Sequence, residues 1–184
     1  MSSVASTILD HVASSLEKVA GDRISVTRRQ GTVIVTPSVP NSFAVSIYDE
    51  GDEVMISAQR WHTHYDDPDQ ALFCVIWLLS PFYRIVEEFK GGLFVATWLE
   101  AYEATGWEGS DPVYFLNPEH APDWKAAPDE VYTRRLIQQN VLMPGVPYSE
   151  TVPGAVLDKN GLPQDSVIGV STVEDRQSLG VTLF

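Results

Sequence analysis

Two short segments on either side of Asp49–Asp52 constrain the fold more than any other stretch of the chain. Each alternates apolar and polar residues, and the apolar positions are Phe43, Val45, Ile47, Val54, Ile56 and Ala58. Because side chains two apart on a strand point the same way, a hairpin that turns at Glu50–Gly51 and pairs Ile47 with Val54 places all six on one face. A sheet with one apolar face needs another layer to cover it.

The preceding residues predict the rest of that sheet and its cover. Val26 and Val35 flank a turn at Gln30–Gly31, which predicts an earlier hairpin with the two valines opposite each other. Apolar residues at three- and four-residue steps over Val4–Val19 predict an amphipathic helix. We therefore expect an α+β fold in which an N-terminal helix lies on a four-stranded antiparallel meander.

Helix-start signals recur after the meander. In Asp67-Pro68-Asp69-Gln70, the first aspartate can cap a helix whose first position is the proline. The residues that follow are apolar nearly all round, which predicts burial on more than one side of the helix. Ser80-Pro81 forms a second helix start, and Gly91-Gly92 is a helix end. The pattern predicts a central kinked helical hairpin.

The C-terminal half of the chain is less regular. Aromatic and β-branched residues favour a long strand over Leu93–Tyr102 and a returning strand over Val113–Leu116, which together predict a later hairpin. Asp129–Asn140 is predicted as a helix, and a strand through Tyr132–Ile137 is the alternative. Proline, glycine and polar residues dominate thereafter and predict an extended arm.

Length, charge and cysteine content bound the function. We expect residues 1–140 to form one domain and residues 141–184 to form the arm, which packs on that domain or on a partner. With 25 acidic and 12 basic residues, the net charge of −13 disfavours nucleic acid and anionic membranes and suits a basic protein partner. Cys74 is the single cysteine, no signal sequence is evident and no apolar run spans a bilayer, so we expect a cytoplasmic protein.

The stretch between the meander and the central helix holds the ingredients of a metal site. If the strand continues past Ala58, His62 and His64 point to its covered face, and Trp61 points to the other face. Two imidazoles and an oxygen ligand from Asp66 would hold one divalent transition metal ion. The main interpretation is that both histidines are ordinary residues at a sheet edge and that the protein has no cofactor. The alternative is a metal-binding protein or a metal-dependent hydrolase that uses His62, His64 and Asp66.

The string His-x-His-x-Asp resembles the first metal motif of the metallo-β-lactamase superfamily, which also follows a strand and precedes a helix. The resemblance covers only His62, His64 and Asp66. That family continues with another histidine where this chain has Asp67, and of the histidines needed further downstream only His120 remains. The fold and activity of that family are therefore not predicted.

A longer series of short sequence motifs resembles small uncharacterised bacterial α+β proteins. It consists of Trp61-His62-Thr63-His64-Tyr65, Leu79-Ser80, Arg84, Gly91-Gly92 and Trp98-Leu99-Glu100. This resemblance implies no activity. The order helix, strands, helix, strands, helix is also similar to that of type III secretion chaperones, which are small, acidic and cytosolic. This chain has one more strand before the central helix and a long tail.

The sequence contains no complete catalytic set. A Gly-x-Ser-x-Gly elbow and a glycine-rich phosphate loop are both missing. Aromatic residues serve as anchors in protein interfaces, and the candidates are Trp61, Tyr65, Trp107 and Trp124. The leading hypothesis is a non-enzymatic, acidic protein-interaction module of bacterial type, either chaperone-like or immunity-like. A homodimer with exchanged tails is a further interpretation.

Overall fold

The computed structural model describes residues 3–19, 21–38, 42–90, 93–103, 106–110, 113–114, 132–139, 163 and 169–176. The helices in this part of the chain are α1 (Val4–Val19) and α2 (Pro68–Leu78). Its strands are β1 (Ile24–Arg29), β2 (Thr32–Pro37), β3 (Val45–Asp49), β4 (Val54–Ala58), β5 (Trp61–Tyr65), β6 (Tyr83–Lys90), β7 (Leu93–Glu103), β8 (Gly106–Gly109), β9 (Val113–Tyr114), β10 (Tyr132–Gln139) and β11 (Gly169–Arg176). Neither described helix is long and apolar enough to cross a membrane.

The strands form two antiparallel sheets, which confirms the predicted α+β class. The first sheet has the order β1-β2-β3-β4-β5, so each strand pairs with its neighbour in sequence. The second has the order β11-β10-β6-β7-β8, and β9 pairs with β7. The predicted four-stranded meander therefore has a fifth strand, β5, at its edge.

Both helices pack on the covered face of the first sheet. The apolar stripe of α1 lies on that face through Ile8, Val12 and Leu16, all of which are buried. The sheet contributes a row of fully buried residues, which includes Ile47 and Ile56. Burying each side chain of this size stabilises the fold by roughly 1.5–3 kcal/mol before the entropy cost of ordering it. This shared core confirms the prediction that α1 covers the meander.

The first hairpin has the predicted register. Val26 pairs with Val35 across a turn at Gln30–Gly31. Gly31 has a φ of 64°, a conformation that glycine adopts without a steric penalty.

The second hairpin turns later than predicted. Ile47 pairs with Ile56 rather than with Val54, so the predicted register is wrong by two residues. The connection is a four-residue loop in which the Glu50 N–H donates to the Glu53 carbonyl over 3.0 Å. Because side chains on a strand alternate with a period of two, a shift of two residues leaves the apolar set on the predicted face.

The chain reverses after Ala58 instead of continuing as a strand. A two-residue turn at Gln59–Arg60, whose first residue has a φ of 57°, makes Ala58 the direct partner of Trp61. Directly paired residues share a face of the sheet. Trp61 therefore lies on the covered face, and His62 and His64 lie on the exposed face. The predicted assignment of these faces is wrong.

The first half of the central helical hairpin is confirmed and the second half is wrong. α2 begins as predicted, because the Asp67 carboxylate accepts a hydrogen bond from the Gln70 N–H over 2.8 Å. The residues beyond Pro81 form strand β6, which pairs with β7 on one side and with β10 on the other. Ile85 and Val86 are adjacent and both buried, as expected for a central strand covered on both faces. In the sequence, the apolar residues of this segment recur at three- and four-residue steps, which is also the pattern of an amphipathic helix.

The C-terminal half contributes more strand than predicted. The long strand β7 and the returning strand β9 are confirmed. The segment predicted as a helix over Asp129–Asn140 contains β10, so the alternative interpretation as a strand is the correct one. Within the predicted arm, β11 pairs with β10 at the edge of the second sheet. Most other residues of 141–184 lie outside the described residues.

Candidate functional site

The two histidines of the predicted metal site lie side by side on the exposed face of β5. His62 pairs with Ser57 and His64 pairs with Met55 in the adjacent strand β4. Their ring centroids are 5.7 Å apart in an edge-to-face arrangement. Asp66 follows the end of β5 and is exposed. The sequence thus predicts the pairing of the histidines on one face correctly, although it predicts the wrong face.

The structure brings His64 to two carboxylates outside the predicted metal site. The Nδ1 atom of His64 lies 3.3 Å from Glu50 Oε2 and 3.1 Å from Glu53 Oε1. One ligating atom from each of these three residues lies within 4.8 Å of the others, and Asp66 is not part of this group. We call Glu50, Glu53 and His64 the loop cluster, because both glutamates belong to the β3–β4 loop.

The loop cluster can act in two ways. An imidazole nitrogen and two carboxylate oxygens are a donor set that suits zinc and other divalent transition metal ions. A protonated imidazole can instead form ion pairs with both carboxylates, and at such an exposed position these pairs contribute less than about 1 kcal/mol each. The cluster was not predicted because the four-residue loop and the β4–β5 register together place Glu53 next to His64.

Three neighbouring aromatic side chains, Phe73, Trp77 and Tyr83, form a surface that we call the aromatic ladder. Phe73 is 55% exposed and Trp77 is 38% exposed, and their ring centroids are 6.2 Å apart. Trp77 and Tyr83 stack at 5.2 Å with an angle of 7° between their planes. α2 is buried where it packs on α1 and on the first sheet, which agrees with the prediction of burial on more than one side, and the side that carries Phe73 and Trp77 is exposed.

An acidic residue extends the ladder toward the start of α2. Asp69 is exposed and precedes Phe73 by four residues, so the two lie on the same face of the helix about 5–6 Å apart. Asp69 Oδ1 also lies 3.2 Å from His11 Nε2 on α1. The ladder thus has a carboxylate at one end and a pair of stacked rings at the other.

Trp61 and Tyr65, predicted as interaction residues, point into the core of the first sheet. Trp61 is only 8% exposed, and Tyr65 is half-buried against the same core. Burial raises the pKa of Tyr65 to about 12 and that of Cys74, with which it forms a hydrogen bond, to about 12. A thiol with so high a pKa is not a nucleophile at neutral pH. Cys74 is therefore a core residue.

Trp107, the third predicted interaction residue, packs within the second sheet. The Arg84 guanidinium lies 4.1 Å above its ring, and Arg84 Nε donates to Glu100 Oε2 over 2.6 Å. Glu100 also accepts a hydrogen bond from the Trp98 indole over 2.9 Å. This arrangement is a cation held between an aromatic face and a carboxylate. Trp124 lies outside the described residues.

Arg60 is likewise placed between an aromatic ring and a carboxylate, and here the carboxylate, that of Glu87, is buried. The Glu87 side chain is 3% exposed, and its Oε2 atom lies 3.3 Å from Arg60 Nη1. Its Oε1 atom is buried without a hydrogen-bond partner among the described residues. The Arg60 guanidinium lies 4.7 Å above the ring of Phe94. Burial raises the pKa of Glu87, and Arg60 opposes that shift. The pair joins the β4–β5 turn to the second sheet.

The described part of the chain therefore offers two surfaces with a binding chemistry, the aromatic ladder and the loop cluster. No protein-family model, curated protein or solved structure matches the chain. Function is therefore inferred from the geometry of these two surfaces.

Proposed function

We propose that the protein is a non-enzymatic, acidic protein-interaction module that binds a partner protein through the aromatic ladder. The observation that carries this proposal is the exposure of Phe73 and Trp77 on one face of α2. Large aromatic side chains that stay in water forgo burial energy, and contiguous apolar patches of this kind mark interaction sites. Tryptophan and tyrosine are also enriched among the residues that dominate binding energy in interfaces.

Contacts within the ladder favour a preformed binding surface. Trp77 is stacked against Tyr83, and Phe73 leans on Trp77 one helical turn away. A side chain that is already held in place loses less conformational entropy on binding, which favours affinity. The net charge of −13 adds long-range attraction for a basic partner and repulsion against a second copy of the chain.

Replacing Phe73 and Trp77 together by alanine is expected to weaken partner binding by at least about thirtyfold, since even a single interface anchor contributes about 2 kcal/mol or more. Affinity capture with the untagged wild-type chain and mass spectrometry would identify the partner, and calorimetry would then compare affinities. Tyr48→Ala is the matched control, because Tyr48 is also 38% exposed but lies on the opposite side of the first sheet. An unchanged affinity of the double variant, with its fold intact by circular dichroism, would refute the proposal.

A second candidate function is divalent metal binding at the loop cluster. The distances from His64 to Glu50 and Glu53 favour this set of ligands over the predicted set of His62, His64 and Asp66. The bound ion would lie on an exposed surface, where it could bridge the protein to a partner or remain structural.

Titration with zinc, nickel or manganese chlorides separates the two ligand sets. If the loop cluster binds metal, His64→Ala and Glu53→Gln should each lower the affinity by roughly 10–100-fold or more, given that even outer-shell changes have effects of that size. His62→Ala and Asp66→Asn should leave it unchanged. Because His64 belongs to both sets, the predicted set would instead give losses for His62→Ala, His64→Ala and Asp66→Asn and none for Glu53→Gln. No uptake by the wild type, measured by calorimetry and elemental analysis, would eliminate both.

A further inference from the structure

We infer that the aromatic ladder recognises an arginine side chain on the partner, which stacks on the exposed rings while its guanidinium pairs with Asp69. This inference rests on the proposed function and adds the chemistry of the group that is bound.

The spacing along α2 places the required groups in line. Asp69, Phe73 and Trp77 follow one another at intervals of four residues, so they lie along one face of the helix at about 5–6 Å per step. A guanidinium above Phe73 is therefore within reach of the Asp69 carboxylate. Both Asp69 and Phe73 are exposed.

The chemistry of this surface favours a planar cation. The faces of aromatic rings carry negative potential and attract cations, with tryptophan the strongest of the three aromatic residues. A guanidinium can stack flat on a ring and at the same time donate two parallel hydrogen bonds to a carboxylate. A lysine ammonium offers a point charge without the flat surface or the fork, so it should bind less well.

The same chain uses this combination twice within its own fold. Arg84 lies above Trp107 and donates to Glu100, and Arg60 lies above Phe94 and pairs with Glu87. The ladder presents the aromatic rings and the carboxylate, but no arginine whose side chain the structure describes lies over Phe73 or Trp77. The net charge of −13 favours a cation from outside the chain.

Three synthetic peptides of equal length test the inference. Each alternates glycine with one other residue, which is arginine, lysine or citrulline, the neutral isostere of arginine. We expect the arginine peptide to bind the wild type several-fold more tightly than the lysine peptide, and the citrulline peptide to show no binding, in titrations followed by tryptophan fluorescence at low and at physiological salt.

Variants locate the binding to the ladder. Trp77→Ala and Asp69→Asn should each lower the affinity for the arginine peptide by about fivefold. This is the size of effect expected for a cation–π contact or a charged hydrogen bond at the surface. Tyr48→Ala and Asp52→Asn are the matched controls, since each removes an exposed residue of the same type elsewhere, and both should leave the affinity unchanged. Equal binding of all three peptides, or equal effects of Asp69→Asn and Asp52→Asn, would overturn the inference.

Binding measurements with the purified partner distinguish a failure of this inference from a failure of the proposed function. If the ladder variants abolish binding but replacing arginines of the partner by glutamine has no effect, the ladder binds through apolar contacts and the inference is wrong. If the ladder variants bind the partner normally, the proposed function is wrong as well.

Discussion

Arg60→Met should lower the free energy of unfolding by about 1–3 kcal/mol at pH 7, because it removes the charged partner of the buried Glu87 carboxylate, although the Arg60 side chain itself is 52% exposed. The Glu87 carboxylate is almost fully buried, and Arg60 is the hydrogen-bond partner that the described residues provide for it. Methionine keeps an unbranched apolar stem against Phe94, so the loss reports the charge rather than the packing. Urea unfolding followed by circular dichroism measures it.

The cost of this substitution should depend on pH. Burial raises the pKa of Glu87 above its unfolded value, so the folded state binds this proton more tightly than the unfolded state does. The associated stability is fully present below the unfolded pKa of Glu87 and is lost as the pH rises through the folded pKa. Arg60 lowers the pKa of Glu87, so removing Arg60 raises the folded pKa further. The loss of stability then extends to higher pH and becomes larger. The decrease in the free energy of unfolding caused by Arg60→Met should therefore be small near pH 4 and large at pH 7.

A second substitution in the same pair distinguishes a charge effect from a packing effect. Glu87→Met in the Arg60→Met background should restore most of the lost stability, since apolar replacements of buried ion pairs are often neutral or stabilising. Glu103→Met, at an exposed end of β7, is the control and should change the unfolding free energy by less than about 0.5 kcal/mol. A double variant no more stable than Arg60→Met alone would show that packing, not the buried charge, dominates.

The features of the fold that the sequence predicts correctly depend on neighbouring residues. The apolar stripe of α1, the Asp67 cap of α2 and the first hairpin are all determined within about twenty residues of chain. The second hairpin shows how a partial error can be harmless. Its predicted register is wrong by two residues, yet its apolar face is predicted correctly. Side chains alternate between the two faces of a strand, so a shift by an even number of residues leaves each side chain on the same face.

The errors arise where distant parts of the chain decide the structure. β6 has the spacing of an amphipathic helix, but pairing with β10, more than forty residues later, makes it a central strand. In that setting Arg84 pairs with Glu100 across the strands. Tertiary pairing of this kind overrides local propensity.

The candidate site could be predicted only in part for the same reason. The spacing of His62 and His64 shows that they share a face, but a two-residue turn at Gln59–Arg60 determines which face it is. Exposure of Phe73 and Trp77 depends on what covers α2, and an apolar sequence alone suggests burial. A signal was present in the four-residue spacing of Asp69, Phe73 and Trp77, which marks one helix face.

The reversal at Gln59–Arg60 also changes what Trp61 is expected to do. Trp61→Ala should lower the free energy of unfolding by about 3–4 kcal/mol, because it removes a large side chain from the buried face opposite Ala58 and leaves a cavity. His62→Ala, at the next position on the exposed face, should change it by less than about 0.5 kcal/mol. Thermal and urea unfolding of both variants would measure the contrast.

A role for Trp61 as a surface anchor predicts the opposite result. An anchor contributes to affinity and little to folding, so Trp61→Ala would then keep its stability and lose its partner. A core residue affects partner binding only through the fold, so at a temperature where the variant is fully folded its affinity should equal that of the wild type. The ladder variants should behave in the reverse way, since Phe73 and Trp77 retain much of their surface in water and their removal leaves the core intact. Measuring stability and affinity for both sets separates the residues that build this fold from those that bind its partner.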